Sequence, residues 1–240
     1  SDKFVQKLKP YVEFLPVCPE VEIGLGTPRP TIRLSRDGDR IALHQPATGK
    51  DVTDDMNRFA ETWLSNVAEV DGFILKRKSP SCGLKSAKLH KSKDDKMTIS
   101  HKESGLFAAK VFDMFGGKAI EDEGRLNDIQ IRHHWLTRLF TLATFREIRK
   151  APTAAKLVDF HSRTKFVLMA YNQTKMRQMG KLVASLKSKP IEEIFDDYEA
   201  LLQQSFARQA RVKQNINVLH HALGYFKKEL TPREKQHFLD

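Results

Sequence analysis

Cysteine is scarce in this sequence, with two among 240 residues, Cys18 and Cys82. Such a pair could form a disulfide, be two unrelated buried thiols, or belong to a metal site. The composition, in which 30% of residues are charged, favours reduced thiols. Spacing alone leaves both buried thiols and a metal site open.

Long apolar runs are also missing. No stretch reaches the roughly eighteen consecutive apolar residues that a membrane-crossing helix needs, and the first residues are polar. We therefore expect a cytoplasmic protein without a membrane span, a secretory signal or a membrane partner. Hydrophobic residues make up 40% of the chain, which supports one large or two ordinary globular domains.

Carboxylates are absent between residues 160 and 190, although seven basic residues occur there. The net charge of +11 comes almost entirely from the second half of the chain. Residues 129–240 hold 20 Lys and Arg against 10 Asp and Glu, whereas residues 1–128 hold 21 against 20. A solvated helix usually mixes charges of both signs, so this imbalance favours a polyanionic partner.

Both cysteines fall in short loops rich in Pro and Gly, 17–30 (VCPEVEIGLGTPRP) and 79–83 (SPSCG). Residues 11–18 alternate apolar and polar side chains, which predicts a strand that ends at Cys18. A helix capped by Thr53 and ending near Glu69 is predicted to follow, and then a strand over 72–76. Strand, helix and strand would form a βαβ unit with both cysteines at the carboxyl ends of parallel strands, where open α/β sheets bind ligands.

The remaining pattern predicts two domains, and the boundary lies near residue 128. The first, 1–128, is a small α/β domain with a mostly parallel sheet, a hairpin turn at 35–40, a mobile loop at 85–102 and a helix at 105–115. The second, 129–240, is all helical. Its helices are predicted over 129–152, from Thr153 to Met169, and over 175–186, 191–210 and 212–229, and another begins at Thr231.

The segments CPEVEIGLGTPRP, Asp51-Val52-Thr53 and KRKSPSCG at 76–83 resemble, in order and spacing, the bacterial thiouracil desulfurase-like family. The resemblance implies a four-iron four-sulfur (4Fe-4S) cluster held by three cysteines, with one iron open to substrate sulfur. Cys18 and Cys82 match the second and third ligands. The first ligand lies upstream of Phe4 in the family, and we expect it to precede this chain, just as we expect the helical domain to continue beyond residue 240.

The stretch 160–171 (FHSRTKFVLMAY) resembles the all-helical domain that often follows the desulfurase domain. Together the two resemble the bacterial tRNA 4-thiouridine desulfidases. The implied function is conversion of 4-thiouridine in tRNA to uridine with release of sulfide, and no redox cofactor beyond the cluster is implied. The alternatives are a desulfurase of free thiouracil or another small thiolated pyrimidine, and a non-catalytic RNA-binding protein whose cysteines are structural.

Three residues near the cysteines are candidates for the proton transfers that the resemblance implies. Glu20 is the general acid or base, because a carboxylate in a closed site can exchange protons near neutral pH, and Glu22 is the second choice. The alternative is a purely structural role, in which Glu20 accepts hydrogen bonds from backbone N–H groups of its own turn. Ser79, preferred over Ser81, would orient the water or the base, although a serine beside proline is commonly a turn former.

The candidate RNA contacts are basic. Arg29 would hold a phosphate or a pyrimidine oxygen, with an internal salt bridge as the alternative, and Lys76 would meet the phosphate of the target nucleotide. Tyr171 is available to stack on a base, and no protein partner is implied. The helical domain supplies the remaining phosphate contacts, which are Arg163, Lys165, Lys175, Arg177 and Lys181.

Overall fold

The computed structural model describes residues 3–226 and 229–237. These residues form two compact units, which divide between Leu139 and Phe140. The division lies inside the first helix of the region that the sequence assigned to the second domain, 129–240. None of the described helices is both long enough and apolar enough to cross a membrane.

The first unit contains helices and two sheets, which confirms the α/β class. In chain order its elements are α1 (Lys3–Leu8), α2 (Pro19–Glu22), β1 (Arg33–Asp37), β2 (Arg40–Gln45), β3 (Lys50–Asp51), α3 (Thr53–Asn66), β4 (Gly72–Leu75), β5 (Ala87–His90), β6 (Thr98–Glu103), α4 (Leu106–Phe115) and β7 (Ala119–Asp122), then a 3-10 turn (Arg125–Asn127) and the start of α5 (Ile129–Arg149).

The larger sheet is mixed, not mostly parallel as the sequence predicted. Its strand order is β3-β2-β1-β5-β6, and only the β1–β5 pairing is parallel. The smaller sheet is the parallel pair β4–β7. In the larger sheet Leu34 lies opposite both Leu43 and Leu89, and all three are buried. This apolar cluster continues into α3 and α4, where Trp63 packs against Phe107 with ring centroids 5.9 Å apart.

The predicted strand over 11–18 is wrong, and with it the βαβ unit that was to begin there. Residues 12–18 have no regular secondary structure. Phe14 and Leu15 are 37% and 58% exposed, so the alternating pattern does not place an apolar face on a core. A strand also needs a neighbouring strand for its N–H and C=O groups, and no such partner is present in the described part of the chain.

Two other local predictions need correction. Residues 85–102 are not a mobile loop, because β5 and β6 pair there as an antiparallel hairpin and bury Ala87 and Leu89, which lie on either side of the exposed Lys88. The cap of α3 is Val52, and Thr53 is the first helical residue. The Thr53 hydroxyl instead donates to Asp51 Oδ1 at 2.6 Å and accepts from the Leu43 N–H at 2.8 Å. This helix ends at Asn66, not near Glu69.

The start of α5 belongs to an apolar cluster in the first unit. Trp135 is buried there with Phe4, Leu126 and Leu139, and its indole N–H donates to the carbonyl of Ala119 at 3.0 Å. His134 precedes it on the same helix. Burial, with smaller effects of the nearby charges of Arg138 and His133, lowers the pKa of His134 to about 4.

The lowered pKa of His134 gives the first prediction. The unfolded chain has the ordinary pKa of 6.5, so unfolding takes up a proton as the pH falls from 6.5 toward 4, and the free energy of unfolding falls with it. We expect His134→Gln to remove about 1 kcal/mol of the loss between pH 7 and pH 5, as measured by chemical denaturation. His133→Gln, at the exposed neighbour, should keep the wild-type loss. An unchanged pH dependence in His134→Gln would contradict the assignment.

All regular secondary structure among the described residues of the second unit is helical, as the sequence predicted. It contains the end of α5, then α6 (Ala154–Ala184), α7 (Ile191–Ser205), α8 (Val212–Tyr225) and α9 (Pro232–His237). Thr153 caps α6 by accepting from the Lys156 N–H at 3.2 Å, which confirms the predicted cap. The helices predicted over 191–210 and 212–229 are too long, because α7 ends at Ser205 and α8 at Tyr225; residues 227 and 228 lie outside the described ones.

A break at Asn172 divides α6 into two helical segments. The backbone there has φ −157° and ψ 94°, which are not helical values. The Asn172 Oδ1 accepts from the Lys175 N–H at 3.0 Å and so caps the second segment. The sequence predicted two helices here, from Thr153 to Met169 and from Lys175 to Leu186, and the break between them is confirmed. Around α6 the core is aromatic, with Phe145 stacked on Tyr198 at 5.3 Å.

Candidate active site

Both cysteines line a single cavity in the first unit, with a volume of about 560 Å³. Its walls come from residues 17–20 at the start of α2, from residues 29–32 before β1, and from the segment 76–82 after β4. Residues far apart in the sequence therefore meet there. The lining side chains are those of Val17, Cys18, Pro19, Glu20, Arg29, Pro30, Thr31, Ile32, Lys76, Arg77, Lys78, Ser79, Pro80 and Cys82.

Cys18 occupies the cap position of α2. Its backbone carbonyl accepts from the N–H groups of Val21 at 2.9 Å and Glu22 at 3.1 Å, and Pro19 follows as the first helical residue. Proline suits that position because the first N–H of a helix has no intrahelical acceptor. The Cys18 side chain is exposed and lies 3.8 Å from Nη2 of Arg29.

Cys82 is held by a tight turn that Ser79 organises. The Ser79 hydroxyl oxygen accepts from the N–H groups of Ser81 at 3.2 Å and Cys82 at 3.1 Å. This turn is fixed to the start of α4, where Gly105 donates its N–H to the Gly83 carbonyl at 2.8 Å and Ala108 donates to the Ser81 carbonyl at 3.0 Å. Ser79 therefore forms the turn, as a serine beside proline commonly does, and it also lines the cavity.

The close approach at Gly105 leads to a second prediction. A Cβ atom at position 105 would lie 2.3 Å from the Ser81 carbonyl carbon and 2.8 Å from the Cys82 nitrogen. Because these are backbone atoms, Gly105→Ala should displace the turn and lower the free energy of unfolding by about 1–3 kcal/mol. Urea denaturation measures this. Gly224→Ala, where a Cβ meets nothing within 4 Å, is the matched control, and equal stabilities of the two variants would contradict the prediction.

Glu20 joins the two loops. Its Oε1 accepts from the hydroxyl of Ser79 at 3.1 Å and also from the hydroxyl of Ser81, while its Oε2 accepts from Nη2 of Arg29. The structure thus brings together Glu20, Ser79 and Ser81, although the serines lie 59 and 61 residues from the carboxylate in sequence. A carboxylate with this set of hydroxyl partners can receive a proton at Oε1 and pass it along the hydroxyls.

The two basic residues that the sequence assigned to RNA contact near the cavity both have carboxylate partners. Arg29 forms an ion pair with Glu20, which is the internal salt bridge considered as the alternative to an RNA contact. It also donates to the Gly26 carbonyl at 2.7 Å. Burial opposes the charge on Arg29, yet the bond to Glu20 raises the pKa of that guanidinium. Lys76, 73% exposed, places its Nζ 2.6 Å from Oε1 of Glu123. A phosphate would have to compete with these carboxylates.

Burial controls the protonation of Cys82. Burial most of all, and then the negative charges of Glu20 and Cys18, raise the pKa of that thiol to about 12, against smaller opposing hydrogen bonds from Ser79 and Ser81. In the metal-free protein Cys82 is therefore a neutral thiol at pH 7. A metal ligated here must displace the proton, which makes metal binding dependent on pH.

The donor set fits part of the cluster that the resemblance implies. Cys18 and Cys82 are free thiols on one cavity, which suits two thiolate ligands of an iron-sulfur cluster. Over residues 3–226 and 229–237, no third His, Cys, Asp or Glu completes a metal-holding group with them. The described residues thus provide two of the three thiolate positions that the resemblance implies.

The predicted RNA contacts of the second unit lie along α6 on both sides of Asn172. Arg177 and Lys181 are exposed, Lys165 and Lys175 are partly buried, and Arg163 pairs with Asp159 on the same helix at 2.9 Å. Tyr171 is not available to stack on a base, because it is 7% exposed and packs edge-on against Phe206 at 4.8 Å. Tyr171 belongs to the buried residues of α6 that form the core of the second unit.

Sequence reasoning missed Arg77 and Lys78 as lining residues of the cavity. It also missed Glu123, which accepts both from Lys76 and from the backbone N–H of Arg77 at 2.8 Å. The run of three cations at 76–78, directly before the turn that holds Cys82, was the available signal.

Comparisons with known proteins agree with this arrangement. Residues 1–123, that is 123 of 240, match the family model of 2-thiouracil desulfurase, and residues 165–240 match a model described as a protein of unknown function, DUF1722. An uncharacterized protein of Escherichia coli strain K12, YbgA, is 28% identical over 103 residues. That alignment covers 42% of this chain and 61% of YbgA.

No solved structure matches the chain. The family assignment therefore rests on the sequence models. The matched region includes Cys18, Glu20, Ser79, Ser81 and Cys82, which the fold gathers around that cavity. The chain belongs to the 2-thiouracil desulfurase family, in an arrangement that places a DUF1722 region after the desulfurase domain.

Proposed function

We propose that this protein is a desulfidase that converts 4-thiouridine in tRNA to uridine and releases sulfide. The observation that carries the proposal is the contact of Glu20 with Ser79 and Ser81 beside two free thiols in one cavity. The reaction replaces the thiocarbonyl sulfur by a water oxygen, so water attacks the ring carbon, the C–S bond breaks, and the two protons of water end on the sulfide and the medium.

Each residue has a defined part in that exchange. Glu20 Oε1 takes a proton from the attacking water, and the hydroxyls of Ser79 and Ser81 hold that carboxylate in position. Arg29 holds the second oxygen of the same carboxylate. Cys18 and Cys82 would be two of the ligands of a 4Fe-4S cluster, which when bound supplies a thiophilic Lewis acid for the substrate sulfur.

The choice of tRNA rests on charge. The segment 160–190 combines seven basic residues with no carboxylate, and Arg177 and Lys181 on its second helical segment are exposed. Contacts of this kind bind phosphates without regard to sequence, so binding should weaken steeply with salt. A small substrate such as free thiouracil would need no such surface, although the name of the matched family favours it as the second candidate.

The test is the 4-thiouridine content of bulk tRNA before and after anaerobic incubation with protein reconstituted with iron and sulfide. We expect loss of 4-thiouridine with an equal amount of sulfide released, and neither with the Cys82→Ser variant. Free 4-thiouracil in a parallel reaction separates the two substrates. Sulfide from the free base alone would support the second candidate. Salt-sensitive tRNA binding without any sulfide would support the non-catalytic RNA-binding alternative.

A further inference from the structure

The two candidate serines and Cys82 share one short segment, 76–82, that follows β4. Backbone hydrogen bonds to the start of α4 anchor the far end of this segment. At its near end β4 stops at Leu75, where the pairing with β7 ends as well. Another contact has to hold this end if the serines are to meet Glu20.

Glu123, directly after β7, supplies that contact. Its Oε1 lies 2.6 Å from Nζ of Lys76, and its Oε2 accepts from the backbone N–H of Arg77 at 2.8 Å. Its own N–H donates to the Leu75 carbonyl at 3.1 Å, which continues the parallel pairing of β4 and β7 by one bond. One residue thus contacts three consecutive positions, 75–77, although it lies 46 or more residues away from them in sequence.

The position of Glu123 is itself fixed by its neighbours. The preceding residue, Asp122, is fully buried, and its Oδ1 accepts from the Arg125 N–H at 2.7 Å. The following residue, Gly124, packs directly under the Arg77 side chain, because a Cβ at position 124 would lie 2.4 Å from Cδ of Arg77. The turn after β7 is therefore a fixed support for the start of the segment.

The contact depends on a charged carboxylate. Burial favours the neutral form of Glu123, yet the bonds from Lys76 and from the Arg77 N–H lower its pKa, so the side chain is ionised at neutral pH. That side chain is 16% exposed, and hydrogen bonds to an ionised, largely buried group are stronger than those between neutral groups. Glutamine in its place would keep one acceptor and turn an N–H₂ group toward Lys76 or Arg77, and alanine would keep no acceptor.

Only Lys78 separates this contact from Ser79. Lys78 has φ +60°, in the left-handed region that residues other than glycine rarely occupy, and its N–H donates to the Ser86 hydroxyl at 3.0 Å. The Ser79 N–H donates to the Lys76 carbonyl at 3.4 Å and closes a tight turn. A conformation of this kind persists only where its surroundings hold it, so a shift at the start of the segment reaches the serine hydroxyl.

We propose that Glu123 is a positioning residue, which holds the start of the segment 76–82 so that its two serines meet Glu20. This inference rests on the proposed function, because that function gives the serines and Glu20 their part in the reaction. Glu123 is absent from the lining of the cavity and therefore acts through the segment, not on the substrate. A displacement of about 1 Å among reacting groups can cost about 10²-fold in rate.

Single-turnover sulfide release by the full, reconstituted chain, with tRNA affinity measured in parallel, tests the effect on the reaction. We expect Glu123→Ala to slow release about 10²-fold and Glu123→Gln to slow it less, with tRNA affinity within about twofold of the wild type in both. Glu61→Gln is the matched control, because Glu61 also lies 2.6 Å from a lysine, Lys110, in the same unit but does not line the cavity. It should release sulfide at the wild-type rate.

Hydrogen exchange of the metal-free protein tests the same contact without any turnover. The Ser79 hydroxyl accepts from the N–H groups of Ser81 and Cys82 and so protects them from exchange. Both Glu123 variants should exchange these two amides about tenfold faster or more, because local opening of the segment no longer breaks the full contact with Glu123. Glu61→Gln should keep the wild-type exchange.

Three outcomes would overturn the positioning role: wild-type exchange in Glu123→Ala, an unchanged release rate, or a loss of tRNA affinity as large as the loss of rate. Glu123→Gln, which keeps one acceptor, decides the question if the alanine variant does not fold. The proposed function fails separately. If the wild type releases sulfide from neither tRNA nor free 4-thiouracil while exchange is faster in the Glu123 variants, Glu123 holds the segment and the desulfidase assignment falls.

Discussion

Replacing Glu20 by Gln should lower the rate of sulfide release by about 10²–10⁴-fold, the usual loss when a general base is removed. The amide keeps the size of the side chain and can still bond to the hydroxyls of Ser79 and Ser81, but it cannot take a proton from water. We therefore expect the affinity for tRNA to remain near that of the wild type. Single-turnover sulfide release under anaerobic conditions, with tRNA binding measured in parallel, checks both statements.

Glu22 provides the matched control for that variant. It lies two residues from Glu20 on the same short helix, is exposed, and is absent from the lining of the cavity. Glu22→Gln should therefore release sulfide at close to the wild-type rate. The opposite pattern, an inactive Glu22→Gln and an active Glu20→Gln, would transfer the role of the base to Glu22 and refute the assignment drawn from the hydroxyl contacts.

The Cys82 thiol should react with iodoacetamide about 10³-fold more slowly at pH 7.5 than an ordinary cysteine with a pKa near 8.5. The reason is the pKa of about 12, which leaves very little thiolate in the metal-free protein. Cys18 is exposed and serves as the internal reference in the same sample. Mass spectrometry of the two cysteine-containing peptides against time gives both rates, and the Cys82 rate should rise about tenfold for each pH unit.

The same experiment reports on the charge of Glu20. The negative charge of Glu20 is, after burial, the largest cause that raises the pKa of Cys82. Removal of that charge in Glu20→Gln should lower the pKa and accelerate the alkylation of Cys82 relative to that of Cys18. Similar rates for the two cysteines in the wild type, or a slower Cys82 in the variant, would contradict this account of the cavity.

Local patterns predicted the elements that depend on nearby residues. The turn at 35–40 and the strands on each side follow from a polar Gly-containing turn between apolar runs, and the structure pairs Arg36 with Ile41 across it. The cap at Thr153 likewise depends only on neighbouring residues, because its hydroxyl accepts from the N–H of Lys156, three residues on. The strand over 11–18 was wrong because alternation records only which faces are apolar, whereas a strand also requires a neighbour with free N–H and C=O groups.

In the candidate site, too, the sequence identified single residues but not the contacts between distant ones. The resemblance pointed to Glu20, Ser79 and Ser81 as individual residues, but spacing could not reveal that all three share hydrogen bonds, because the contact closes a loop of about sixty residues. Nor could it show that Glu20 engages Arg29, since the pairing depends on the fold of the turn around Gly26. Burial, which sets the pKa of Cys82, is a property of the assembled fold and is invisible in the segment itself.

The distribution of tryptophan between the two units gives the protein a built-in optical reporter. Both of its tryptophans, Trp63 and Trp135, lie before residue 140, and the second unit contains tyrosines, among them the buried Tyr171 and Tyr198, but no tryptophan. Indole emission therefore follows the desulfurase unit alone. Far-ultraviolet circular dichroism is dominated by the long helices of both units, so a difference between the two signals separates the melting of one unit from that of the other.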